Sequence, residues 1–342
     1  MKNRSVTEIE FPRGSSLREL LQLSNDVAID DLLEKSLLEP LDHLLSRPRK
    51  NLRAELVDLG VSIATEHRFI NREQVEGIAK EARAILEVLH TGSLVIDDIQ
   101  DGSQERRGVP AVHVLYGIPV ALNAGNWMYF LPFRMIKFMA IAESAKLQLA
   151  DELQSILLRA HYGQALDVGT DFTTIAQERI AEVSLALMEL KTGALSELAC
   201  KFGAIACEAG PHLIQALSAF GRKFGIALQM YDDVGNAFSA ASSGKWSEDI
   251  RLKRVSFVIS TAARMLSPEN FEEMKKLLAD GHENYLALRV FLTKHGVRDE
   301  ARLQAQLYLA AAFSELQAGT PLTKEQFKTI ERLQLRLMNA YE

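Results

Sequence analysis

The stretch "EVLHTGSLVIDDIQDGSQERRG", residues 87–108, decides the fold class because its apolar residues recur at helical spacing. Apolar side chains return every three or four positions as far as Ile99, which is the period of one face of an α-helix. The stretch "LALMELKTGALSELACKFGAIA", residues 185–206, has the same period. Alternating runs rich in Val, Ile and Thr, which would indicate strands, are almost missing from the chain. We therefore predict an all-α fold.

The composition excludes several classes of protein. The chain has 342 residues, is 47% hydrophobic and 25% charged, and carries a net charge of −6, as an ordinary globular protein does. This mild acidity, without a basic block, argues against nucleic-acid binding. We find neither a signal peptide nor a run long enough for a transmembrane segment, so we expect a cytoplasmic protein. Two cysteines, Cys200 and Cys207, are too few for a disulfide framework and are expected to be reduced packing residues.

Glycine, proline and serine divide the helical pattern into roughly a dozen helices of ordinary length. The breaks fall near Pro48, Gly102–Pro110, Gly117–Pro119, Gly210–Pro211, Ser239–Ser247 and Thr320–Pro321. No repeat, linker or step in composition marks a domain boundary. We predict a single domain over residues 1–342, in which residues 1–27 are an N-terminal extension with a short outer helix.

The first candidate site is the pair Asp97 and Asp101, which lie one helical turn apart in an apolar helix. Their Cβ atoms are expected about 5–6 Å apart on one face. Two carboxylates at that distance repel by roughly 3 kcal/mol at an effective dielectric constant of about 20. A divalent cation removes this repulsion, and oxygen ligands favour Mg²⁺, which also bridges to substrate phosphates.

A second acidic pair lies in "QMYDDVGN", residues 229–236, at the end of another apolar helix. Asp232 and Asp233 are followed one turn later by Asn236. A solvated helix end is an equally good interpretation of either pair alone. Unpaired charges are costly in an apolar helix, so two such pairs favour one shared use across a helical bundle.

Cationic side chains that suit a diphosphate accompany both acidic pairs. Arg106 and Arg107 offer fork-shaped donors that match phosphate oxygens. Further candidates are Lys50, Arg53, Lys191 with Thr192, Lys245 and Lys253. Each alone is by default a surface residue. No Walker-type glycine loop is present, so the chemistry is not that of a P-loop nucleotidase.

Seven short motifs occur along the chain. In order they are "KNLR" (50–53), "LHTGSLVIDDIQD" (89–101), "RRG" (106–108), "GQALD" (163–167), "KTG" (191–193), "QMYDD" (229–233) and "GKWSEDIRLKRVSF" (244–257). Together they resemble the motifs of the trans-type prenyl diphosphate synthases. The resemblance implies a helical bundle of the isoprenoid synthase type with a central apolar cavity. Asn236, with "LLEPLDHLL" (37–45) and "RRGVPAVHVLYGIP" (106–119), is similar to the eukaryotic type of geranylgeranyl diphosphate synthase.

The resemblance also implies a role for each matching residue. Mg²⁺ would bind Asp97, Asp101 and Asp232 and clamp the diphosphate of an allylic substrate, while Asp98 and Asp233 support these ligands. The same diphosphate would be bound by Arg106, Lys191 and Lys245. The second substrate, isopentenyl diphosphate, would be bound by Lys50, Arg53, His90 and Arg107. Thr192 and Gln229 would line the reacting region, and Lys253 would support a closing loop.

The implied activity is Mg²⁺-dependent prenyl transfer, in which the allylic carbon–oxygen bond ionises and isopentenyl diphosphate attacks the cation. The allylic primer would be dimethylallyl, geranyl or farnesyl diphosphate, and the resemblance implies a homodimer or a larger homo-oligomer. No nucleophilic triad is needed, and none is evident. A terpene cyclase would have no use for Lys50, Arg53, His90 and Arg107. A non-catalytic isoprenoid-binding subunit would have no use for the aspartates.

Some positions depart from the pattern of the family. Arg49 replaces the usual glycine before the first lysine, Ala54 a proline, Leu252 the glycine before the downstream lysine, and Asn236 an aspartate.

Product length depends on the residues that precede Asp97. Gly92 and Ser93 are small, so a growing tail could pass them, and we favour the twenty-carbon product over a fifteen-carbon or longer one. Four residues of another helix form either the floor of the product pocket or ordinary core: Met128, Tyr129, Phe130 and Phe133.

Overall fold

A computed structural model describes residues 14–23, 30–45, 52–66, 71–106, 108–239, 243–279 and 285–339. The chain divides into two compact units. Unit 1 comprises Met1–Ala54 and Ile70–Asp151, and unit 2 comprises Glu55–Phe69 and Glu152–Glu342. The predicted break near Pro48 lies outside the described residues.

Helices account for nearly all the regular structure of the described residues. The first nine are α1 Gly14–Leu21, α2 Asp30–Leu33, α3 Glu39–Leu45, α4 Leu52–Thr65, α5 Arg72–Asp101, α6 Val112–Tyr116, α7 Ile118–Phe138, α8 Glu143–Gly169 and α9 Ile180–Met188. The others are α10 Ala194–Ala206, α11 Pro211–Phe238, α12 Ser243–Arg251, α13 Phe257–Met265, α14 Pro268–Ala279, α15 Tyr285–Lys294, α16 Val297–Gly319 and α17 Lys324–Asn339.

Short irregular turns join some of these helices. π-helical turns at Glu34–Leu38 and Glu189–Gly193 continue α2 into α3 and α9 into α10. Single 3₁₀ turns follow α8 at Phe172–Thr174 and Gln177–Arg179. Two strands of two residues each, β1 Glu105–Arg106 and β2 Val109–Pro110, pair antiparallel. The all-α prediction is confirmed, and this small ribbon is the exception that it missed.

Most of the predicted helix breaks in the described residues are confirmed, and one is wrong in part. Those near Gly102, Gly117 and Gly210 are confirmed, since α5, α6 and α10 end before or at these glycines. The break over Ser239–Ser247 is wrong in part, because α12 begins at Ser243. Trp246 and Ile250, one turn apart, are both buried, and this apolar anchor keeps a serine- and glycine-rich stretch helical.

Helix α5 carries the first acidic pair, and both of its ends are fixed by local sequence. The side chain of Asn71 caps the first turn by accepting a hydrogen bond from the backbone N–H of Gln74 at 2.7 Å. The helix ends at Gly102, whose φ of 67° is left-handed and favours glycine. The first aspartate pair therefore occupies the last turn of a long, rigid helix.

The N-terminal extension contains α1, which is tied to other parts of unit 1. Leu17 is buried, and the guanidinium of Arg18 lies 2.6 Å from the carboxylate of Asp30. Arg134 of α7 donates a hydrogen bond through Nε to the carbonyl of Leu20 at 2.9 Å. Among the described helices, none is long and apolar enough to cross a membrane.

In unit 2, α10 is buried along its whole length and packs closely against α11. The approach of the two helices requires glycine, because a Cβ on Gly221 would lie 2.5 Å from the carbonyl oxygen of Ser196. A Cβ on Gly225 would lie 2.5 Å from the carbonyl oxygen of Thr192. Cys200 and Cys207 are both free and buried, as expected. This close packing holds α11, which carries the second acidic pair, in a fixed position within the unit.

Candidate active site

The three aspartates in the last turn of α5 differ in exposure. The side chain of Asp97 is 25% exposed, whereas Asp98 is only 1% exposed and Asp101 7%. Asp97 and Asp101 lie one turn apart, as the sequence predicted, and α5 stays helical through both. Asp98 is turned about 100° from Asp97 around the helix axis, toward the interior of the unit.

Arg106 is held next to this turn by the small β-ribbon. Left-handed backbone at Gly102 and Gly108 turns the chain back, and β1 carries Arg106. Its guanidinium donates through Nε to Oδ1 of Asp98 at 2.7 Å and also through Nη2. Nη2 lies 3.5 Å from Oδ2 of Asp97. Asp98, predicted to support the metal ligands, therefore orients the arginine predicted to bind the allylic diphosphate.

Tyr129 of α7 lies near Asp97 in the same unit. Burial, and next the negative charge of Asp97, raise the pKa of its phenol, so the hydroxyl stays protonated. Of the four side chains considered for a pocket floor, Met128 is fully buried core, while Phe130 is 70% exposed. Tyr129 and Phe133 are partly buried and lie one turn apart on α7. Of these four side chains, Tyr129 is the one shown to lie near a predicted metal ligand, Asp97.

Gly92 has a structural role that the sequence interpretation missed. A Cβ on this residue would lie 2.7 Å from Cβ of Met128 and 3.0 Å from the carbonyl oxygen of Gly125, both on α7. The small size of Gly92 therefore allows α5 and α7 to pack closely, and the expectation that a product tail passes it stays a prediction. Ser93 is partly buried, and its hydroxyl donates to the carbonyl of His90 at 2.7 Å.

Two residues predicted to bind isopentenyl diphosphate come together in unit 1. Nη1 of Arg53 and Nε2 of His90 lie 3.1 Å apart, which is hydrogen-bonding distance. The helices α4 and α5 carry these side chains. The other two residues of this predicted set, Lys50 and Arg107, lie outside the described residues.

In unit 2, a chain of hydrogen bonds links the residues predicted to line the reacting region. The hydroxyl of Thr192 donates to Oε1 of Gln229 at 2.7 Å, and Nε2 of Gln229 donates to Oδ1 of Asp233 at 2.8 Å. The backbone N–H of Phe257, at the start of α13, donates to Oδ2 of Asp233 at 2.7 Å. The amide of Gln229 is thereby fixed in one orientation.

Asp233 is buried, and this burial dominates its ionisation. Desolvation raises its pKa to about 7 against the lowering effect of its two hydrogen bonds, and the charges of Asp232 and Asp167 add to the rise. Asp232 is less buried and receives a long hydrogen bond, 3.5 Å, from Nδ2 of Asn236. Asp233 therefore serves as an anchor for Gln229 and α13, while Asp232 is the more accessible carboxylate of the pair.

Lys191 is bonded to Asp167, a residue that sequence reasoning quoted but did not assign. The ammonium of Lys191 donates to Oδ2 of Asp167, and Arg254 donates to the backbone carbonyl of the same aspartate. Asp167 is the last residue of the motif "GQALD". The presence of this motif among the seven matching ones was therefore the signal that could have identified Asp167 as a site residue. Lys191 and Arg254 thus both donate to Asp167, one to its carboxylate and the other to its backbone carbonyl.

The two remaining predicted lysines have acidic neighbours. Nζ of Lys245 lies 3.5 Å from Glu248 and 3.6 Å from Asp249 on the same helix, α12. Nζ of Lys253 lies 3.0 Å from Oδ2 of Asp171. Burial would raise the pKa of Asp171, but hydrogen bonds from Thr173 and Lys253 lower it below its ordinary value.

The donor set of the acidic turns suits a hard divalent cation. In unit 1, Asp97 and Asp101 offer only oxygen ligands from one helix face, and Asp97 is the more exposed of the two. In unit 2, Asp232 is partly buried and also offers only oxygen ligands. In the described residues, no group of three or more His, Cys, Asp or Glu side chains forms a complete metal cage. Mg²⁺ binds through one or two carboxylates and keeps waters or phosphate oxygens as its other ligands, so the residues fit it without such a cage.

Comparisons with known proteins identify the family of the chain. The polyprenyl synthetase family model matches residues 34–291. A short chain isoprenyl diphosphate synthase of Methanothermobacter thermautotrophicus is 30% identical over 299 residues, which cover 85% of this chain and 86% of that protein. A geranylgeranyl pyrophosphate synthase of Macrophomina phaseolina is 30% identical over 305 residues, 88% of this chain and 87% of that protein.

Solved structures show the same fold. Geranylgeranyl pyrophosphate synthase from Corynebacterium glutamicum, complexed with isoprenyl diphosphate and magnesium, superposes with a TM-score of 0.78 at 21% identity over 94% of each chain. The corresponding synthetase from Pyrococcus horikoshii gives a TM-score of 0.76 at 24% identity, over 94% of this chain and 93% of that one. The predicted isoprenoid synthase type of fold is confirmed, and the chain belongs to the polyprenyl synthetase family.

Proposed function

We propose that this chain is a Mg²⁺-dependent trans-prenyltransferase that condenses isopentenyl diphosphate with an allylic diphosphate to make geranylgeranyl diphosphate. The observation that carries the proposal is the last turn of α5, where Asp97 and Asp101 lie one turn apart beside an arginine fixed by Asp98. Carboxylates for a hard cation and a rigid guanidinium together form a site for a diphosphate leaving group. Relatives named as geranylgeranyl pyrophosphate synthases support the product assignment.

In this proposal the Mg²⁺ ligands would be Asp97, Asp101 and Asp232, and the metal, when bound, would offset the charge that grows on the departing diphosphate. Arg106 and Lys191 bind the allylic diphosphate directly, and their partners Asp98 and Asp167 hold them in place. Lys245 adds a further cation. An arginine or lysine that is already oriented loses less freedom on binding, which favours tight diphosphate binding.

Isopentenyl diphosphate is bound by Arg53 and His90, with Lys50 and Arg107. The close approach of Arg53 and His90, 3.1 Å, supports one anion site made by both. This diphosphate keeps its carbon–oxygen bond throughout the reaction. Cationic side chains suffice for it, because no leaving group has to be activated.

The reaction proceeds by ionisation, condensation and elimination. The allylic carbon–oxygen bond breaks, and its electron pair leaves with the diphosphate. The double bond of isopentenyl diphosphate attacks the resulting carbocation, and a proton passes from the new cation to the released diphosphate. Thr192 and Gln229 line the reacting region, and Asp233 fixes the Gln229 amide by a hydrogen bond of 2.8 Å. Water has to be excluded from the reacting region, because it would otherwise capture the cation.

The test supplies labelled isopentenyl diphosphate and Mg²⁺ with dimethylallyl, geranyl or farnesyl diphosphate and measures product length. We expect a twenty-carbon product, and a dominant fifteen-carbon or longer product would overturn the chain-length assignment. Asp97→Asn should lower turnover, while Asp31→Asn, at an exposed position of the same unit, is the matched control. If diphosphate is released from none of the primers, the proposal that the chain is an enzyme is refuted and a non-catalytic subunit is favoured.

Arg53→Ala distinguishes the proposal from a terpene cyclase. A cyclase uses only the allylic diphosphate, so its turnover would not change in this variant. Prenyl transfer requires both substrates, and we expect the KM for isopentenyl diphosphate to rise.

We also propose that the chain acts as a homodimer. Exposed apolar side chains on α7 and α8 support this, among them Phe130, Leu147, Leu158 and Tyr162. Light scattering at micromolar concentration should give twice the mass of one chain, and the mass of a single chain would refute the proposal. The cytoplasmic location stays a prediction.

A further inference from the structure

The turn between α12 and α13 contains a lysine in a backbone conformation that glycine favours. Lys253 has a φ of 52°, in the left-handed region. The backbone N–H of Lys253 donates to the carbonyl of Ile250 at 3.0 Å. The backbone N–H of Arg254 donates to the carbonyl of Asp249, also at 3.0 Å, and these two bonds close the end of α12. Glycine is the usual residue at such a helix end, so a lysine here is strained unless its side chain compensates.

The lysine side chain makes a contact that glycine could not make. Nζ of Lys253 lies 3.0 Å from Oδ2 of Asp171, while Oδ1 of Asp171 accepts a hydrogen bond from the backbone N–H of Thr173 at 2.8 Å. The backbone N–H of Phe172 donates to the carbonyl of Lys253 at 3.2 Å. Phe172 is fully buried. Two separate bonds therefore tie the turn at Lys253 to a segment that is anchored in the core of unit 2.

The next residue, Arg254, is placed by this turn. Its guanidinium donates to the backbone carbonyl of Asp167, whose carboxylate accepts from Lys191. Two cations from different elements are thereby brought to one aspartate. A guanidinium carries five N–H donors, so it can bond a carbonyl and a phosphate oxygen together.

We propose that the Lys253–Asp171 pair, which we call the latch, is a positioning device that holds Arg254 beside Lys191 for binding of the allylic diphosphate. This inference rests on the proposed function. The sequence predicted that Lys253 supports a closing loop. In the present proposal its ammonium binds Asp171, and Arg254 is the residue of this turn that binds the substrate.

The test measures KM for farnesyl diphosphate, KM for isopentenyl diphosphate and kcat in latch variants. Asp171→Asn keeps an oxygen for Thr173 but loses the charge that Lys253 binds. Lys253→Gly removes the ammonium and relieves the left-handed strain, so folding is preserved. Each should raise KM for farnesyl diphosphate roughly 3- to 10-fold, with KM for isopentenyl diphosphate and kcat within about 2-fold.

Three further variants separate the latch from a general loss of structure. Lys253→Arg keeps a cation for Asp171 and should restore a KM close to that of the wild type. The double variant of Asp171→Asn and Lys253→Gly should equal either single one, because both remove the same bond. Glu315→Gln breaks the exposed pair of Glu315 with Lys223 in the same unit and should change nothing.

Two results would overturn the latch. One is an unchanged KM for farnesyl diphosphate in Asp171→Asn. The other is a parallel change of both KM values and kcat together with a lower Tm, which would indicate a structural role only. Both require an active wild-type chain, so they leave the proposed function intact. A wild-type chain without prenyl transfer would refute the proposed function and the latch with it.

Discussion

Protonation of Glu197 should destabilise unit 2 within a defined range of acidic pH. This buried carboxylate of α10 accepts hydrogen bonds from four side chains. The donors are Lys201 at 3.0 Å, Arg159 at 3.0 Å, Arg222 at 3.0 Å and Ser218 at 2.8 Å. Burial alone would raise the pKa of Glu197, but the charge of Lys201 and the hydrogen bonds from Lys201, Arg222 and Ser218 lower it from 4.5 to about 2.

The sign and size of the effect follow from this lowered pKa. A carboxyl group whose pKa is lower in the folded state than in the unfolded state stabilises the fold above the unfolded pKa. This stabilisation is lost as the pH falls from 4.5 to about 2. One pKa unit corresponds to about 1.4 kcal/mol, so the contribution of Glu197 is about 3 kcal/mol at neutral pH.

The assay is urea unfolding of the wild type and of Glu197→Gln, at one protein concentration, from pH 7 down to pH 2. Glutamine removes the buried negative charge that Lys201, Arg159 and Arg222 share, so we expect the variant to be less stable at pH 7 by about 3–5 kcal/mol. The difference between the two proteins should shrink below pH 4.5, because the wild type then loses the same charge. Carboxylates common to both proteins cancel in that difference.

Glu315→Gln provides the matched control, since Glu315 forms an exposed pair with Lys223. It should cost less than about 1 kcal/mol. A stability difference between the wild type and Glu197→Gln that stayed constant from pH 5 to pH 2 would refute the reasoning, because the Glu197 carboxylate would then not carry the stability.

The remaining predictions concern α5 and its metal. Gly92→Ala forces a Cβ to within 2.7 Å of Met128 and should lower the free energy of unfolding by about 1–3 kcal/mol. Gly77→Ala on the same helix places a Cβ with no other atom within 4 Å, and it should raise the free energy of unfolding by about 0.5–1 kcal/mol. An equal loss of stability in the two variants would contradict the packing argument. Asp98→Asn weakens the hold on Arg106 and should raise KM for the allylic diphosphate roughly 10-fold, but an equal rise for isopentenyl diphosphate would argue against this role. Removal of Mg²⁺ with a chelator should stop turnover and its return should restore it, whereas product formed without the metal would contradict the mechanism.

Helical periodicity predicted the fold class well because an apolar face is a local property of the sequence. The end of α5 at Asp101 was predicted equally well, because a glycine follows it directly. The ribbon at Glu105–Arg106 was not, because two-residue strands have no period to detect. The helix that starts at Ser243 depends on tertiary burial of Trp246, which overrides the local preference for a turn.

The contacts of small and charged side chains could not be predicted in the same way. Gly92 was interpreted from its distance in sequence to Asp97, but its role depends on Met128 of another helix. Likewise, Asp171 binds a lysine far along the chain, and no spacing rule connects the two. A single sequence reports which residues share a helix face, whereas pairings between helices require the fold.

The first and second aspartates of each "DD" motif have different surroundings, which suits them to different roles. Adjacent residues of an α-helix point about 100° apart, so the members of each pair meet different surroundings. In both units the second aspartate is buried and bonded: Asp98 to Arg106, and Asp233 to the start of α13. The first aspartate, Asp97 or Asp232, is less buried in both. The same division in two compact units of the chain argues that the outward aspartate is kept for a ligand and the inward one for position. Asparagine at the outward position should therefore affect kcat, and at the inward position KM and stability.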